Sequence, residues 1–154
     1  VPSATAYGLL SLVNLMGMIG AGWLTDRVNR PMLLTAIYML RALTFILLGS
    51  LPGTSIEMLF LFAVLFGAVD YATVPVTVSL VASHVGIKMM GLAMGLISAG
   101  HALGGAMGAF VGGYIFTTAG NYDLVWTGSI WLAVGAGLLA LSLKAQPERK
   151  MIPS

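Results

Sequence analysis

The stretch that organises this chain reads GWLTDRVNRP, at residues 22–31. It separates an uncharged apolar run over residues 4–24 from a second run over residues 32–51, which carries a single charge. The charged side chains of the stretch are too polar for hydrocarbon, and the stretch is too short to be a domain. We therefore predict that it is a loop at a membrane surface.

The composition extends this interpretation to the whole chain. Hydrophobic residues make up 58% and charged residues 8% of the sequence, and the mean hydropathy is +0.98. Charged residues make up about a quarter of a soluble globular domain. The sequence therefore predicts an integral membrane protein whose surroundings are the lipid bilayer. Its few basic residues are spread over several loops, which argues against a nucleic-acid partner.

The apolar runs are long enough for transmembrane helices. A helix needs about 20 apolar residues to cross the hydrocarbon core, whereas a membrane β-strand needs about half as many. We predict an all-α, polytopic transmembrane bundle of five spans, at about 3–24, 32–51, 56–80, 91–117 and 124–143. Residues 1–154 then form one transmembrane domain with a tail at 144–154. Because the chain begins at Val1, we expect a fragment or a processed chain.

The basic residues predict the orientation. Of the seven basic residues, six lie at one side of the predicted bundle. They are Arg27, Arg30, Lys88, Lys144, Arg149 and Lys150. By the positive-inside rule that side is cytoplasmic. We therefore expect the N-terminus of this chain outside, the C-terminus in the cytoplasm, and the protein in the plasma (inner) membrane.

Four predicted spans each place a polar residue at a similar depth. Arg41 lies nine residues from the cytoplasmic end of its span, whereas Asn14, Asp70 and His101 each lie ten residues from theirs. At 1.5 Å per residue the depth is about 14 to 15 Å, the middle of a core about 30 Å thick. Thr73 shares a helix face with Asp70. We predict that these five residues form the substrate or proton pathway.

Each of these residues also has a purely structural interpretation. Arg41 and Asp70 can form an ion pair that only lets two helices pack, because buried charges need partners in either case. His101 can be hydrogen-bonded to a neighbouring helix rather than handling protons or substrate. The sequence leaves both alternatives open.

Two features of the predicted helices bear on motion. Gly100, Gly104, Gly108 and Gly112 recur every four residues and give the fourth span a bare stripe that suits close helix packing, static or sliding. Pro75 removes a backbone hydrogen bond in the third span, five residues beyond Asp70. We expect a bend there, beside the buried acid.

The sequence contains no sign of an enzyme. It has no phosphate-binding glycine loop, no zinc-helix motif and no serine elbow. His84, which we assign to the third loop, is too far from His101 for the two to share a metal ion. We expect no cofactor and no metal.

The stretch at 22–31 resembles the conserved interhelical loop of the major facilitator superfamily. That loop follows the pattern glycine, any residue, leucine, small residue, aspartate, basic residue, any residue, glycine and then basic residues. The matching positions are Gly22, Leu24, Thr25, Asp26, Arg27 and Arg30. Asn29 replaces the usual glycine, and asparagine also accepts the left-handed conformation.

A second stretch, residues 103–126, resembles the eleventh span of the superfamily and its exit. The whole chain then resembles spans eight to twelve of the superfamily, and its pattern of residues is similar to that of the monocarboxylate and oxalate/formate carriers. The resemblance implies a secondary transporter in which two six-helix halves rock about a midplane site. It also implies that Gly22, Asp26, Arg27 and Arg30 form a conformational gate, in which Asp26 can accept hydrogen bonds from a helix N-terminus.

Together these observations predict a fragment of a secondary active transporter. Its cargo is a small organic solute, with an organic anion moving with protons as one candidate, and the missing N-terminal half of the same protein completes the cavity. Arg41 is the candidate counter-charge, and Asp70 or His101 the candidate proton-coupling group. The alternative is a non-transporting membrane receptor or assembly protein built on the same helices. The sequence leaves open the substrate, the coupling ion and the choice between symport, antiport and uniport.

Overall fold

The computed structural model describes residues 2–50 and 55–143, apart from the side chains of residues 2, 48 and 50. Over these residues it is helical, with no strand. The helices are α1 (Pro2–Thr25), α2 (Arg30–Ser50), α3 (Ile56–Asp70), α4 (Thr73–Val85), α5 (Met90–Ala119) and α6 (Asp123–Leu141). Gly86, with a positive φ, and a short 3-10 turn at Ile87–Met89 connect α4 to α5.

The predicted fold class is confirmed. Five helical segments of the described chain are long and apolar enough to cross a membrane: Ser3–Thr25, Arg30–Leu47, Ile56–Val85, Ile87–Ala119 and Asp123–Leu141. The third segment consists of two helices rather than one, because α3 and α4 are separate. The predicted tail at 144–154 lies outside the described residues.

The end of the third segment differs from the prediction. α4 continues to Val85, so His84 lies in its last turn and not in a loop. His84 Nδ1 lies 2.8 Å from the carbonyl oxygen of Leu80, one turn earlier, so the ring interacts with the end of its own helix. The predicted end of this span, at residue 80, is too early, because polar residues in the last turn of a helix lower the local hydropathy as a loop does.

Two glycines let α1 and α3 cross closely. A Cβ on Gly67 of α3 would stand 2.7 Å from the backbone oxygen of Leu10, and one on Gly17 of α1 would collide with the backbone oxygen of Ala68. Backbones can approach this closely only where side chains are absent. α1 and α3 are therefore held together at two points, one on each side of Asn14.

A second close crossing joins α2 and α6. Thr35 Oγ1 of α2 donates to the carbonyl oxygen of Pro31 in its own helix at 2.9 Å and to that of Gly137 in α6 at 3.1 Å. Gly137 is buried, and a Cβ there would collide with the end of the Met39 side chain. The hydroxyl group of Thr35 thus bridges helices that are far apart in the sequence.

The core of the bundle lies where α1, α2, α3, α4 and α6 meet. Its buried members are Ala21, Leu34, Ile37, Val69, Ala72, Val76, Leu80 and Ala140. Nearer the first residues of α3 and α6, an aromatic cluster joins three helices. Its members are Phe45, Phe62, Phe66 and Trp126, with ring centroids 5.0 to 6.4 Å apart. Rings at these separations attract beyond the area that they bury.

α5 is the exception to this packing. Gly112 is its buried residue, and the rest of the helix is exposed or partly exposed. At Gly100, Gly104 and Gly108 no atom lies within 4 Å of where a Cβ would stand. Within the described part of the chain, therefore, the glycine stripe is not covered by another helix.

Candidate functional site

The third membrane segment is interrupted between α3 and α4, at Tyr71 and Ala72. Pro75 has no N–H, so the carbonyl group of Tyr71 cannot receive the usual bond from four residues later. The N–H of Val74 donates to that carbonyl instead, at 3.0 Å. The interruption therefore lies in the turn before Pro75, where the sequence predicted a bend, and it directly follows Asp70.

Arg41 of α2 points at this interruption. Its Nη2 donates to the carbonyl oxygen of Val69 at 2.9 Å and also to that of Asp70. The same nitrogen lies 3.7 Å from the Asp70 carboxylate oxygen Oδ1. A cation is favourable at the C-terminal end of a helix, where carbonyl groups lack intrahelical partners. Arg41 therefore caps α3 and forms an ion pair with its last residue.

One edge of the Arg41 guanidinium is unused. Its Nε is buried and has no hydrogen-bond partner among the described residues. The guanidinium carbon lies 5.6 Å from the ring centroid of Tyr38 and 6.0 Å from that of Phe66, so its faces meet aromatic rings. An unpaired buried donor is costly and is a natural place for an acceptor from outside the chain.

Asn14 of α1 reaches the interruption from the other side. Its Oδ1 accepts a hydrogen bond from the N–H of Tyr71 at 2.9 Å. In an uninterrupted helix that N–H would bond to the carbonyl group of Gly67. Asn14 and Arg41 thus share the interruption, because Asn14 accepts from a freed N–H group and Arg41 donates to freed carbonyl groups. Three of the four polar residues predicted at mid-depth are brought together here.

His101 and Thr73 are placed differently. His101 lies on α5 and is exposed. Thr73 is the first residue of α4 and is partly exposed beside the interruption. The structure therefore assembles Asn14, Arg41 and Asp70 directly and leaves His101 apart from them on α5.

Only residues 26–29 of the predicted loop at 22–31 lie outside helices, because α1 continues to Thr25 and α2 begins at Arg30. A Cβ on Gly22, near the end of α1, would stand 3.9 Å from the Cβ of Pro75, so the end of α1 lies beside α4. Arg27 is fixed to α1, since its guanidinium stacks on the ring of Trp23 at 3.8 Å and its Nη1 donates to the carbonyl oxygen of Trp23 at 3.1 Å. Arg30 is the first residue of α2 and has a partner.

Asn29 does not adopt the left-handed conformation that the sequence suggested, since no described residue other than glycine has a positive φ. Its Oδ1 instead accepts a hydrogen bond from the N–H of Met32 at 3.2 Å. This is the bond that an N-cap residue makes to the first turn of a helix. The N-terminal turn of α2 is thus capped by Asn29, while the Asp26 side chain is exposed.

Sequence reasoning missed Tyr71. Its side chain is 46% exposed at the interruption, and its N–H group is the one that Asn14 holds. The available signal was Pro75, because the carbonyl group that a proline leaves unpaired lies four residues earlier. Among the described residues no group of three metal-binding side chains occurs.

Comparison with known proteins decides the family. The family model described as Major Facilitator Superfamily matches residues 3–152. The chain belongs to the major facilitator superfamily. No solved structure matches it significantly.

Two curated members of the superfamily align with the chain over 142 residues, which is 90% of its length. They are monocarboxylate transporter 13 of Rattus norvegicus, which is 30% identical, and monocarboxylate transporter 13 of Bos taurus, which is 28% identical. The aligned region covers 33% of each relative. The chain therefore spans about a third of the length of the superfamily members that it matches, and its resemblance to the monocarboxylate branch is confirmed.

Proposed function

We propose that the full-length protein is a secondary active transporter that moves a small organic anion of the monocarboxylate class by alternating access. Membership of the superfamily and the names of the two relatives support transport of this class of solute. The observation that carries the proposal is the position of Arg41. It is a cation in mid-span, bound to the end of an interrupted helix, with one donor edge unpaired.

The chemistry of Arg41 fits a carboxylate. A guanidinium group binds carboxylates through pairs of parallel N–H groups, and this geometry selects planar anions. In the structure Nη2 is shared among backbone carbonyl groups and Asp70, while Nε is free. A carboxylate that approached the Nε edge would gain a charge-assisted bond and satisfy the buried donor. Asp70 would then compete with the anion for the same cation.

This competition suggests how protons are coupled to the anion. While Asp70 is charged, it pairs with Arg41 and lowers the attraction that is left for a second anion. A proton on Asp70 removes that competitor, so proton binding and anion binding favour each other. His101, which the sequence places at the same depth on α5, would pass the proton. Thr73, the first residue of α4, belongs to the same proposed pathway, on the helix face of Asp70.

The gate and the orientation are part of the same proposal. Gly22, Asp26, Arg27 and Arg30 lie at the end of the bundle that we place in the cytoplasm, and they hold one conformation closed on that side. The glycine stripe of α5 packs against a helix supplied by the rest of the protein, and residues 1–154 form one transmembrane unit of it. The protein lies in the plasma (inner) membrane with the C-terminus of this chain inside.

The test is uptake by proteoliposomes that carry the full-length protein. The probes are L-lactate, glucose and tetraethylammonium, each with and without an inward proton gradient. We expect uptake of lactate alone, increased by the gradient. Arg41→Gln should abolish it, whereas Thr44→Val, which alters a hydroxyl group in the same helix that bonds only to Leu40 of its own helix, should leave it intact.

Asp70→Asn separates coupling from binding. We expect this variant to lose gradient-driven uptake of lactate and to retain exchange of lactate across the membrane, because the neutral amide imitates the protonated acid. Loss of both from folded protein would refute the coupling role. If folded wild-type protein takes up none of the probes, the transport proposal is wrong and a receptor or assembly role becomes the better explanation.

A further inference from the structure

Four backbone groups at the interruption of the third segment have hydrogen-bond partners within the protein. The carbonyl groups of Val69 and Asp70 are bonded by Arg41, and the N–H of Tyr71 is bonded by Asn14. The carbonyl group of Tyr71 is bonded by the N–H of Val74. Backbone groups within a membrane must be paired inside the protein. The broken arrangement therefore needs no ligand or water to satisfy these four groups.

A continuous helix would satisfy nearly the same groups in another way. Helical bonds run from each N–H to the carbonyl group four residues earlier. The N–H groups of Thr73 and Val74 would then bond to the carbonyl groups of Val69 and Asp70, and Tyr71 would bond to Gly67. Only the carbonyl group of Tyr71 would stay unpaired, because residue 75 is proline. The two arrangements thus give different partners to the carbonyl groups of Val69 and Asp70 and to the N–H of Tyr71.

The difference between the arrangements lies in Arg41 and Asn14. In the broken arrangement both side chains are occupied by the backbone of the interruption. In the continuous arrangement the helix takes back its own groups, and both side chains are released. We propose that Arg41 and the interruption form a two-state switch, in which release of Arg41 from the carbonyl groups accompanies closure of α3 and α4 into one helix.

Asn14 is the positioning residue of this switch. It lies on α1 between the two glycine crossings that fix α1 to α3, so its amide group is held at a set place relative to Tyr71. By holding the N–H of Tyr71 away from Gly67, it favours the broken arrangement. Closure of the helix moves α4 relative to α3, and Gly22, near the end of α1 where the loop begins, lies beside Pro75 of α4. The switch therefore links the middle of the membrane to the loop.

One consequence rests on the proposed function. An anion that binds the guanidinium group of Arg41 draws it away from the carbonyl groups of α3, and binding then favours the continuous helix. A ligand shifts such an equilibrium only by its difference in affinity for the two states. Here the difference comes from Arg41, since the guanidinium group that binds the anion through its Nε edge is the group whose Nη2 stabilises the interruption.

The switch is tested by a distance across the interruption. Spin labels can be placed on Ile56→Cys and Val85→Cys, both exposed at the far ends of α3 and α4, in a full-length protein from which any cysteine outside this chain has been removed. In a continuous helix the two positions lie about 43 Å apart, from 1.5 Å per residue. A control pair, Ile56→Cys with Val64→Cys, lies within α3 alone.

Two variants should lengthen the first distance without any ligand. Arg41→Gln removes the donor that stabilises the interruption, and Pro75→Ala restores the missing N–H while Arg41 remains. We expect both to shift the distance distribution of the first pair towards about 43 Å and to leave the control pair unchanged. If either variant folds and the distance does not lengthen, the switch is refuted.

Lactate separates the switch from the transport proposal. In the wild-type protein we expect saturating lactate to lengthen the first distance, and in Arg41→Gln we expect it to have no further effect. If the first distance lengthens in Arg41→Gln and Pro75→Ala but does not respond to lactate in the wild type, the switch is supported and only the anion site is refuted. A shift with lactate that persists in Arg41→Gln refutes Arg41 as the link between them.

Discussion

At the residue scale, two side chains from different helices complete the hydrogen bonds of an interrupted third. Asn14 supplies an acceptor, and Arg41 supplies donors. Neither role follows from the charge or polarity of the residue alone. Both depend on the turn before Pro75, where the ladder of helical bonds fails. Asn14 and Arg41 therefore form hydrogen bonds with the backbone of α3 and the residue after it, in addition to any role in binding a solute.

The contribution of Asn14 can be measured against a polar neighbour on the same helix. Asn14→Ala removes the acceptor of the Tyr71 N–H, and such bonds between helices contribute about 0.6 kcal/mol on average and up to about 1.7 kcal/mol. Ser11→Ala is the control, because Ser11 bonds only to Tyr7 of its own helix. We expect the free energy of unfolding in detergent to fall in the first variant alone. Equal losses in both would contradict the assigned role.

At the element scale, the bundle is held by close crossings where glycines meet backbone. α1 crosses α3 at Gly17 and Gly67, and α2 crosses α6 at Gly137. Such contacts suit a membrane protein, in which lipid is as apolar as the side chains and close packing must supply the attraction. The glycine stripe that the sequence made most conspicuous, on α5, makes no such crossing within the described chain.

One prediction concerns the crossing of α1 and α3. Gly67→Ala places a Cβ 2.7 Å from the backbone oxygen of Leu10, so the helices must separate. Overpacking of this kind costs about 1 to 3 kcal/mol. Gly20→Ala is the control, since nothing lies within 4 Å of its Cβ position. Thermal unfolding of the full-length protein should show a loss for the first variant, and an unchanged or higher stability for the second.

Another prediction concerns the crossing of α2 and α6. Thr35 and Thr44 are both buried threonines of α2 that bond to the carbonyl group four residues earlier, but only Thr35 also donates to Gly137 of α6. Thr35→Val should therefore destabilise the protein more than Thr44→Val, by about 0.6 to 1.7 kcal/mol. Chemical denaturation of both variants measures the difference. Identical midpoints would show that the bond to α6 contributes nothing.

At the scale of the whole molecule, the packing is uneven. Helices α1, α2, α3, α4 and α6 enclose a core, whereas α5 is exposed over nearly its whole length. The chain covers 33% of the length of its relatives. An exposed helix whose small residues form a stripe suits contact with further helices. His101 lies exposed on this same helix.

The orientation gives a prediction at this scale. The chain contains no cysteine, so Lys88→Cys and Asn121→Cys each create one exposed thiol, at opposite ends of α5. In intact cells a membrane-impermeant maleimide should label Asn121→Cys, and it should label Lys88→Cys only after permeabilisation, because basic residues concentrate at the cytoplasmic side. The reverse pattern would mean that the chain has the opposite orientation.

The sequence alone determined the membrane class, the five spans, the superfamily loop and the positions of the polar residues along the spans. These follow from consecutive residues, because the cost of placing a segment in hydrocarbon is a sum over that segment. It also indicated a bend near Pro75, since the missing N–H belongs to one residue.

Only the tertiary structure decided which groups form hydrogen bonds between helices. It paired Arg41 with the carbonyl groups of α3, Asn14 with the N–H of Tyr71, and Thr35 with Gly137. It also left the most regular glycine stripe uncovered and His101 exposed on α5. Depth along a helix can be counted from the sequence, but the neighbour that a helix face meets depends on how separate helices cross, and no local pattern specifies that.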